Sequence, residues 1–156
     1  MAIESLCKPR VVTVERNATL KNVSGLMRKE HVGCVVVTEM RKGKKTPVGV
    51  ITDRDIALAL DSSQNPQDVL VERIMQGDPV TASATDGVYE TVLKMRVNGV
   101  RRVPVLNEEG SLCGIICADD LLLLMGEEMN SLARIIDSEV QREQGDWLPS
   151  EQRKSA

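Results

Sequence analysis

The segment VGVITDRDIA carries three residues whose types and spacing could do chemistry together: Gly49, Thr52 and Asp55. Gly49 lets another backbone or a ligand approach a strand closely. Thr52 offers a hydroxyl where that strand ends. Asp55 falls in the first turn of the helix that follows, so its carboxylate can reach back beside Thr52. A hydroxyl and a carboxylate side by side can donate to and accept from the two hydroxyls of a ribose. The open amides of the helix start add polarity. The same pair also reads as a helix cap, with Thr at the N-cap and Asp in the first turn. The two roles are compatible. Arg54, between them, can reach a phosphate or make a surface salt bridge.

The pattern recurs as Gly114, Cys117 and Asp120 in LCGIICADDLL. Cysteine now stands where the hydroxyl was, and a thiol is the weaker hydrogen-bonding group. Asp119 adds a charge unfavourable to phosphate. Arg101 and Arg102, ahead of the strand VPVL, could grip a phosphate with forked hydrogen bonds, or could merely solvate a strand end. Their counterparts in the first half, Gly33 and Cys34, bring no charge. Ribose chemistry is therefore better provided in the first half and phosphate chemistry in the second. His31 is the lone histidine, so a Ser/His/Asp arrangement would have to be built on it. It reads as a helix-end residue before it reads as a ligand. No GxxxxGK[ST] phosphate loop occurs. Nothing in these motifs points to an enzyme.

The elements that must position these residues come in two copies. Thr13 matches Thr81, Met27 matches Met95 and Val37 matches Val105 at an offset of 68. After the hairpin the offset falls to 65, pairing Gly49 with Gly114 and Asp55 with Asp120. Each copy reads strand, helix, two strands, helix. In the first, Val11–Val14 is extended, Thr19 caps a helix carrying Leu20, Val23, Leu26 and Met27, and Val35–Val37 and Val48–Ile51 are buried strands. Arg41–Lys45 reads as an exposed hairpin tip, or as a docking patch for an acidic partner. In the second, Asp86–Asn98 is the helix with Asn98-Gly99 as its stop. Val103–Leu106 and Leu112–Cys117 are strands around a turn at residues 107–111. Asp68–Met75 reads as a short helical connector. Beyond Gly126 a stripe of Met129, Leu132, Ile135 or Ile136, and Val140 continues at helical spacing.

Both glycine-to-aspartate motifs, the DPVTA opening of the second copy and its VRRVPVLNEEG make the chain resemble the cystathionine β-synthase (CBS) domain family over residues 7–127. It looks like a stand-alone CBS pair, also called a Bateman module. The resemblance implies an α+β fold of two βαββα repeats packed about a pseudo-twofold, with an additional C-terminal helix. The expected boundaries are 7–62 and 78–127 for the repeats, 63–77 for the linker and connector helix, 128–144 for the last helix and 145–156 for a flexible tail. The implied ligand set is Thr13, Gly49, Thr52, Arg54, Asp55, Thr81, Arg101, Arg102, Gly114, Cys117 and Asp120. It surrounds an adenine nucleotide (AMP, ADP or ATP, with or without Mg²⁺) acting as a regulatory ligand rather than an obligatory cofactor. Family modules commonly form flat, disk-like dimers through their helices. The resemblance thus implies a homodimer and, beyond it, a regulated partner protein. Two other readings stay open: an interaction protein with vestigial pockets, and a sensor of S-adenosylmethionine or Mg²⁺.

Composition narrows the classes further. The 156 residues are 42% hydrophobic and 28% charged, enough for a globular core and against disorder. Aromatics make up 1%, with Tyr89, Trp147 and no Phe, so the core must come from aliphatic residues and a stacking platform for nucleic acid is not expected. No apolar run approaches the ~18 residues of a membrane span. No signal-type segment opens the chain, and the four cysteines, Cys7, Cys34, Cys113 and Cys117, lack zinc-type pairing. The expected compartment is the cytoplasm. Cys113 and Cys117 share a strand face, as small hydrophobes or as a metal or redox pair. Residues 1–60 carry a net charge of +5 and residues 61–156 a net charge of -8, an asymmetry that can orient a ligand or a partner chain.

Overall fold

The valine-rich segments pair into two small sheets. The computed structural model describes residues 2–61 and 65–147. In the first sheet, β1 (Thr13–Val14) lies parallel to β2 (Cys34–Arg41), which pairs antiparallel with β3 (Lys44–Thr52), and β4 (Gln76–Gly77) completes the order β1-β2-β3-β4. In the second, β5 (Ala82–Ser83) lies parallel to β6 (Arg102–Leu106), which pairs antiparallel with β7 (Leu112–Cys117). The helices are α1 (Leu20–Glu30), α2 (Asp53–Ala59), α3 (Val88–Asn98) and α4 (Ala118–Trp147). Short 3-10 turns stand at Ile3–Ser5, Pro66–Asp68 and Val71–Arg73.

Local chemistry accounts for the boundaries. Thr19 caps α1, its hydroxyl accepting from the Asn22 amide at 3.3 Å. His31 ends that helix in the left-handed region at φ 54°, its amide bonded to the Met27 carbonyl. The lone histidine is thus a C-cap. Gly99 ends α3 in the same way at φ 65°. The turn between β2 and β3 is tighter than the basic cluster implied. Only Lys42 and Gly43, both at positive φ, separate the strands, which suits the twist of a two-residue hairpin.

Val35, Val36, Val37 and Ile51 have no solvent exposure in the first sheet, and Val103, Val105 and Ile116 have none in the second. Both β2 and β6 are covered on two faces, which is why their apolar residues run consecutively instead of alternating. The buried Thr91 keeps its hydroxyl satisfied by donating to the Gly87 carbonyl at 2.9 Å.

The stretches ahead of Arg10 and Asp78 are part of the repeat. Ile3-Glu4-Ser5-Leu6-Cys7 matches Val71-Glu72-Arg73-Ile74-Met75 at the same offset of 68 as the strands. Each forms a 3-10 turn with a fully buried first residue, Ile3 or Val71. Each also serves the sheet of the other repeat. Lys8 exchanges both backbone hydrogen bonds with Ile115 of β7, at 2.9 and 3.0 Å, and Gly77 pairs with Gly49 of β3. Where the sequence implies a helical connector over Asp68–Met75, the chain instead makes one 3-10 turn ending at Asp68 and a second at Val71–Arg73.

These exchanges explain two glycines. A Cβ on Gly114 would lie 2.6 Å from Cys7 Sγ and 3.2 Å from the Lys8 carbonyl oxygen. A Cβ on Gly49 would collide with the Met75 sulfur and lie 3.1 Å from the Gln76 carbonyl oxygen. In both copies the crossing segment occupies the space a side chain would need.

The chain divides into two compact units, one up to Ala118 and one from Asp119 on. The second consists of α4, which runs without a break through Gly126 and past residue 128, where a boundary was expected. The tail expected at 145–156 lies outside the described residues from 148 on.

Candidate functional site

The end of β3 and the start of α2 set the first half of the site. Thr52 is the N-cap of α2, its hydroxyl oxygen accepting from the Asp55 amide at 3.3 Å. The Asp55 carboxylate answers through Oδ2, which accepts from the Thr52 amide at 2.8 Å and from the Thr52 hydroxyl at 2.7 Å. The capping box is therefore formed, and it locks hydroxyl and carboxylate side by side. Among the described residues Asp55 Oδ1 takes no hydrogen bond.

The residues ahead of β6 set the second half. The Asp53 amide donates to the Gly33 carbonyl at 3.1 Å, and at the matching point of the second repeat Ala118 donates to Arg101 at 2.8 Å. This repeated bond ties each helix start to the residue ahead of the repeat's central strand. Cross-strand pairing then puts Cys34 beside Thr52 and Arg102 beside Cys117.

Between these halves, within the first unit, lies a cavity of about 460 Å³, inside the range of small-molecule sites. Thr52, Arg54 and Asp55 line it, with Cys34 and Val50 from the same sheet. Across from them stand Gly99, Val100, Arg101 and Arg102, and the crossing segment Gln76–Val80 supplies the remaining wall. The sequence pointed to five of these residues: Thr52, Arg54, Asp55, Arg101 and Arg102. They come from both repeats, so the cavity is composite. Its walls are apolar at Val50, Pro79, Val80 and Val100. Its charges are three guanidinium groups against the carboxylates of Asp55 and Asp78.

The other expected residues stand elsewhere. Thr13, on β1, accepts from Lys45 Nζ at 2.6 Å. Thr81 follows the cavity wall directly, its carbonyl accepting from Lys94 Nζ at 3.1 Å. Gly49 and Gly114 face the crossing segments. Cys117 ends β7, and Asp120 sits in the first turn of α4 in the second unit.

Sequence reading missed Cys34, Val50, the wall 76–80, Gly99 and Val100. Strand alternation held a signal for Val50, two residues before Thr52 on the same face. Asp78 adopts φ 48°, a left-handed backbone seldom used outside glycine, where Asp is one of the tolerated residues. Burial pushes the Cys34 thiol up to about 11, with nearby Arg102 pulling in the opposite direction. At neutral pH it is a neutral wall residue. Among the described residues no group of His, Cys, Asp and Glu could hold a metal ion, and no helix is long and apolar enough to cross a membrane.

Two repeats, each lending its leading segment to the other around a shared cleft, define a tandem-repeat module of α+β class. The CBS domain family matches residues 3–62 and 71–127, and the chain belongs to that family. A CBS domain protein of Pyrobaculum aerophilum in complex with AMP is 29% identical with a TM-score of 0.70, covering 81% of this chain and 99% of that one. The CBS domain pair of protein MJ0100, in complex with 5′-methylthioadenosine and S-adenosyl-L-methionine, is 25% identical with a TM-score of 0.70, covering 82% and 98%. An uncharacterised protein of Methanopyrus kandleri is 29% identical over 123 residues, 78% of this chain and 61% of that protein. The chain thus spans about three fifths of that curated relative's length. CBS domain pairs are in general regulatory rather than catalytic modules.

Proposed function

We propose that the chain is a non-catalytic regulatory module that binds an adenine nucleotide, AMP, ADP or ATP, in the composite cavity, and that it works as a homodimer. The observation that carries this reading is the cavity's two chemically distinct ends. Thr52 and Asp55 offer a locked hydroxyl–carboxylate pair suited to a ribose diol. Arg101 and Arg102 offer guanidinium groups suited to phosphate. Val50, Pro79, Val80 and Val100 between them suit a purine face without aromatic stacking. The AMP complex of the P. aerophilum protein supports the assignment. Because both ends belong to different repeats, a bound nucleotide would set their spacing, which is a physical route from ligand to shape.

A second reading has its own support in the MJ0100 pair, which holds two adenosyl compounds without phosphate. Arginines distinguish the two. Calorimetric titration with adenosine, AMP, ATP, 5′-methylthioadenosine and S-adenosylmethionine should show phosphate-bearing ligands binding more tightly than adenosine. Equal affinity for adenosine and AMP would move the assignment to the adenosyl compounds. Binding of none of them at millimolar concentration would leave an interaction module with a vestigial pocket.

A further inference from the structure

The outer part of α4 carries a line of apolar side chains that stand exposed among the described residues. Residues 125–144 are all exposed, yet Met129, Leu132 and Ile136 are 67%, 57% and 63% exposed at a spacing of three and four. Leu122 and Met125 extend the same line toward the N-terminus at 71% and 43%. A 3-4-3-4 repeat is the period of a helix that packs along another helix, with these residues at the seam. A long helix exposed on every side gets little stability from its own propensity and depends on packing.

We infer that this face pairs with α4 of a second copy of the chain, antiparallel, about a two-fold axis near Arg134. The residues flanking the seam select both the partner and the direction. In a parallel pair Glu139 and Glu143, which fall on the seam after Ile136, would each face their own copy. Like charges would meet in a closed position. The antiparallel register centred on residue 134 separates them. It sets Leu132 against the partner's Ile136 twice, and Ile135 beside the partner's Ile135. It also sets Glu128 against the partner's Arg142 at both ends, two opposite-charge pairs made by one symmetry operation. Small residues follow the pattern, with Ala133 near the partner's Ala133 and Gly126 near the partner's Val140, so the backbones can come close. The overlap, 122 to 146, is about 36 Å long at 1.5 Å per residue. This surface is self-complementary in its 3-4 spacing and its charge, which a foreign partner would not require. The inference deepens the homodimer part of the proposal and is independent of which nucleotide binds.

Sedimentation equilibrium of the full chain tests it, with thermal unfolding of each variant as a folding control. Ile136→Asp should raise the assembly's dissociation constant about tenfold or more, because an apolar seam residue becomes a buried charge. Glu128→Arg and Arg142→Glu should each raise it severalfold by replacing attraction with repulsion. The double exchange E128R/R142E should return it to within about twofold of the wild type, which only the antiparallel register allows. An unchanged constant for Ile136→Asp, a double exchange that fails to restore, or a wild type that is monomeric throughout would each overturn the inference. Nucleotide titration of the same variants keeps the two proposals apart, since a failed assembly with intact binding sinks only this one.

Discussion

The Oδ2 atom of Asp55 accepts from both the amide and the hydroxyl of Thr52, so the fold has already arranged the pair that a ribose would meet. Cys34, on the neighbouring strand, faces the same cavity as a neutral thiol. Its pKa is raised by burial to about 11 from the ordinary 9.0, and the sign of the consequence follows. Between these values the unfolded thiol has lost its proton while the folded one keeps it, so the folded state binds more protons and stability falls as pH rises. Denaturation midpoints should therefore drop more steeply from about pH 9 to about pH 11 in the wild type than in Cys34→Ala. Equal slopes would show that the thiol is not held in a low-dielectric wall. The place of Thr52, Asp55, Arg101 and Arg102 at the cavity was legible in the sequence because polar residues interrupt apolar runs there. Cys34 and Val50 were not, since a cavity wall residue and a core residue look alike along a strand.

At the scale of elements, the hairpins and helices were readable from periodicity, caps and turn residues, whereas the crossing segments were not. Ile3-Glu4-Ser5 and Val71-Glu72-Arg73 are too short to show a period. Their alignment at the offset of 68 becomes persuasive only once both are seen as 3-10 turns. Their clearest trace in the sequence is the pair Gly49 and Gly114, whose missing side chains mark a close backbone approach as well as a ligand would. Gly114→Ala puts a methyl group 2.6 Å from Cys7 Sγ, with the Lys8 backbone as the next obstacle. It should destabilise the protein by about 1–3 kcal/mol in chemical denaturation, the usual cost of overpacking. Gly114→Ala combined with Cys7→Ala should recover part of that loss. No recovery would mean that the Lys8 backbone, rather than the thiol, limits the space.

For the whole molecule, the exchange of leading segments makes the two repeats one folding unit. Ile3 is fully buried, and its amide donates to the Asp86 carbonyl at 2.9 Å. Ile3→Ala should therefore cost about 2–5 kcal/mol and should lower the unfolding of both repeats in a single transition. Two separate transitions would show that each repeat folds on its own. In the proposed reading the same interdependence makes the cleft an internal joint, at which one bound nucleotide would hold both repeats. Titration of AMP by calorimetry into wild type, Asp55→Ala, Asp120→Ala and Arg101→Ala tests that claim most directly. Unfolding of each variant is measured alongside, because losing the cap at Asp55 should itself cost about 0.5–2 kcal/mol. Asp55→Ala should weaken AMP tenfold or more, since each charge-assisted hydrogen bond is worth about 1.5–3 kcal/mol. Asp120→Ala should matter less, and Arg101→Ala should weaken AMP while sparing adenosine. Undiminished AMP affinity in folded Asp55→Ala, or no binding by the wild type at millimolar AMP, would contradict the assignment of the cleft as an adenine-nucleotide site.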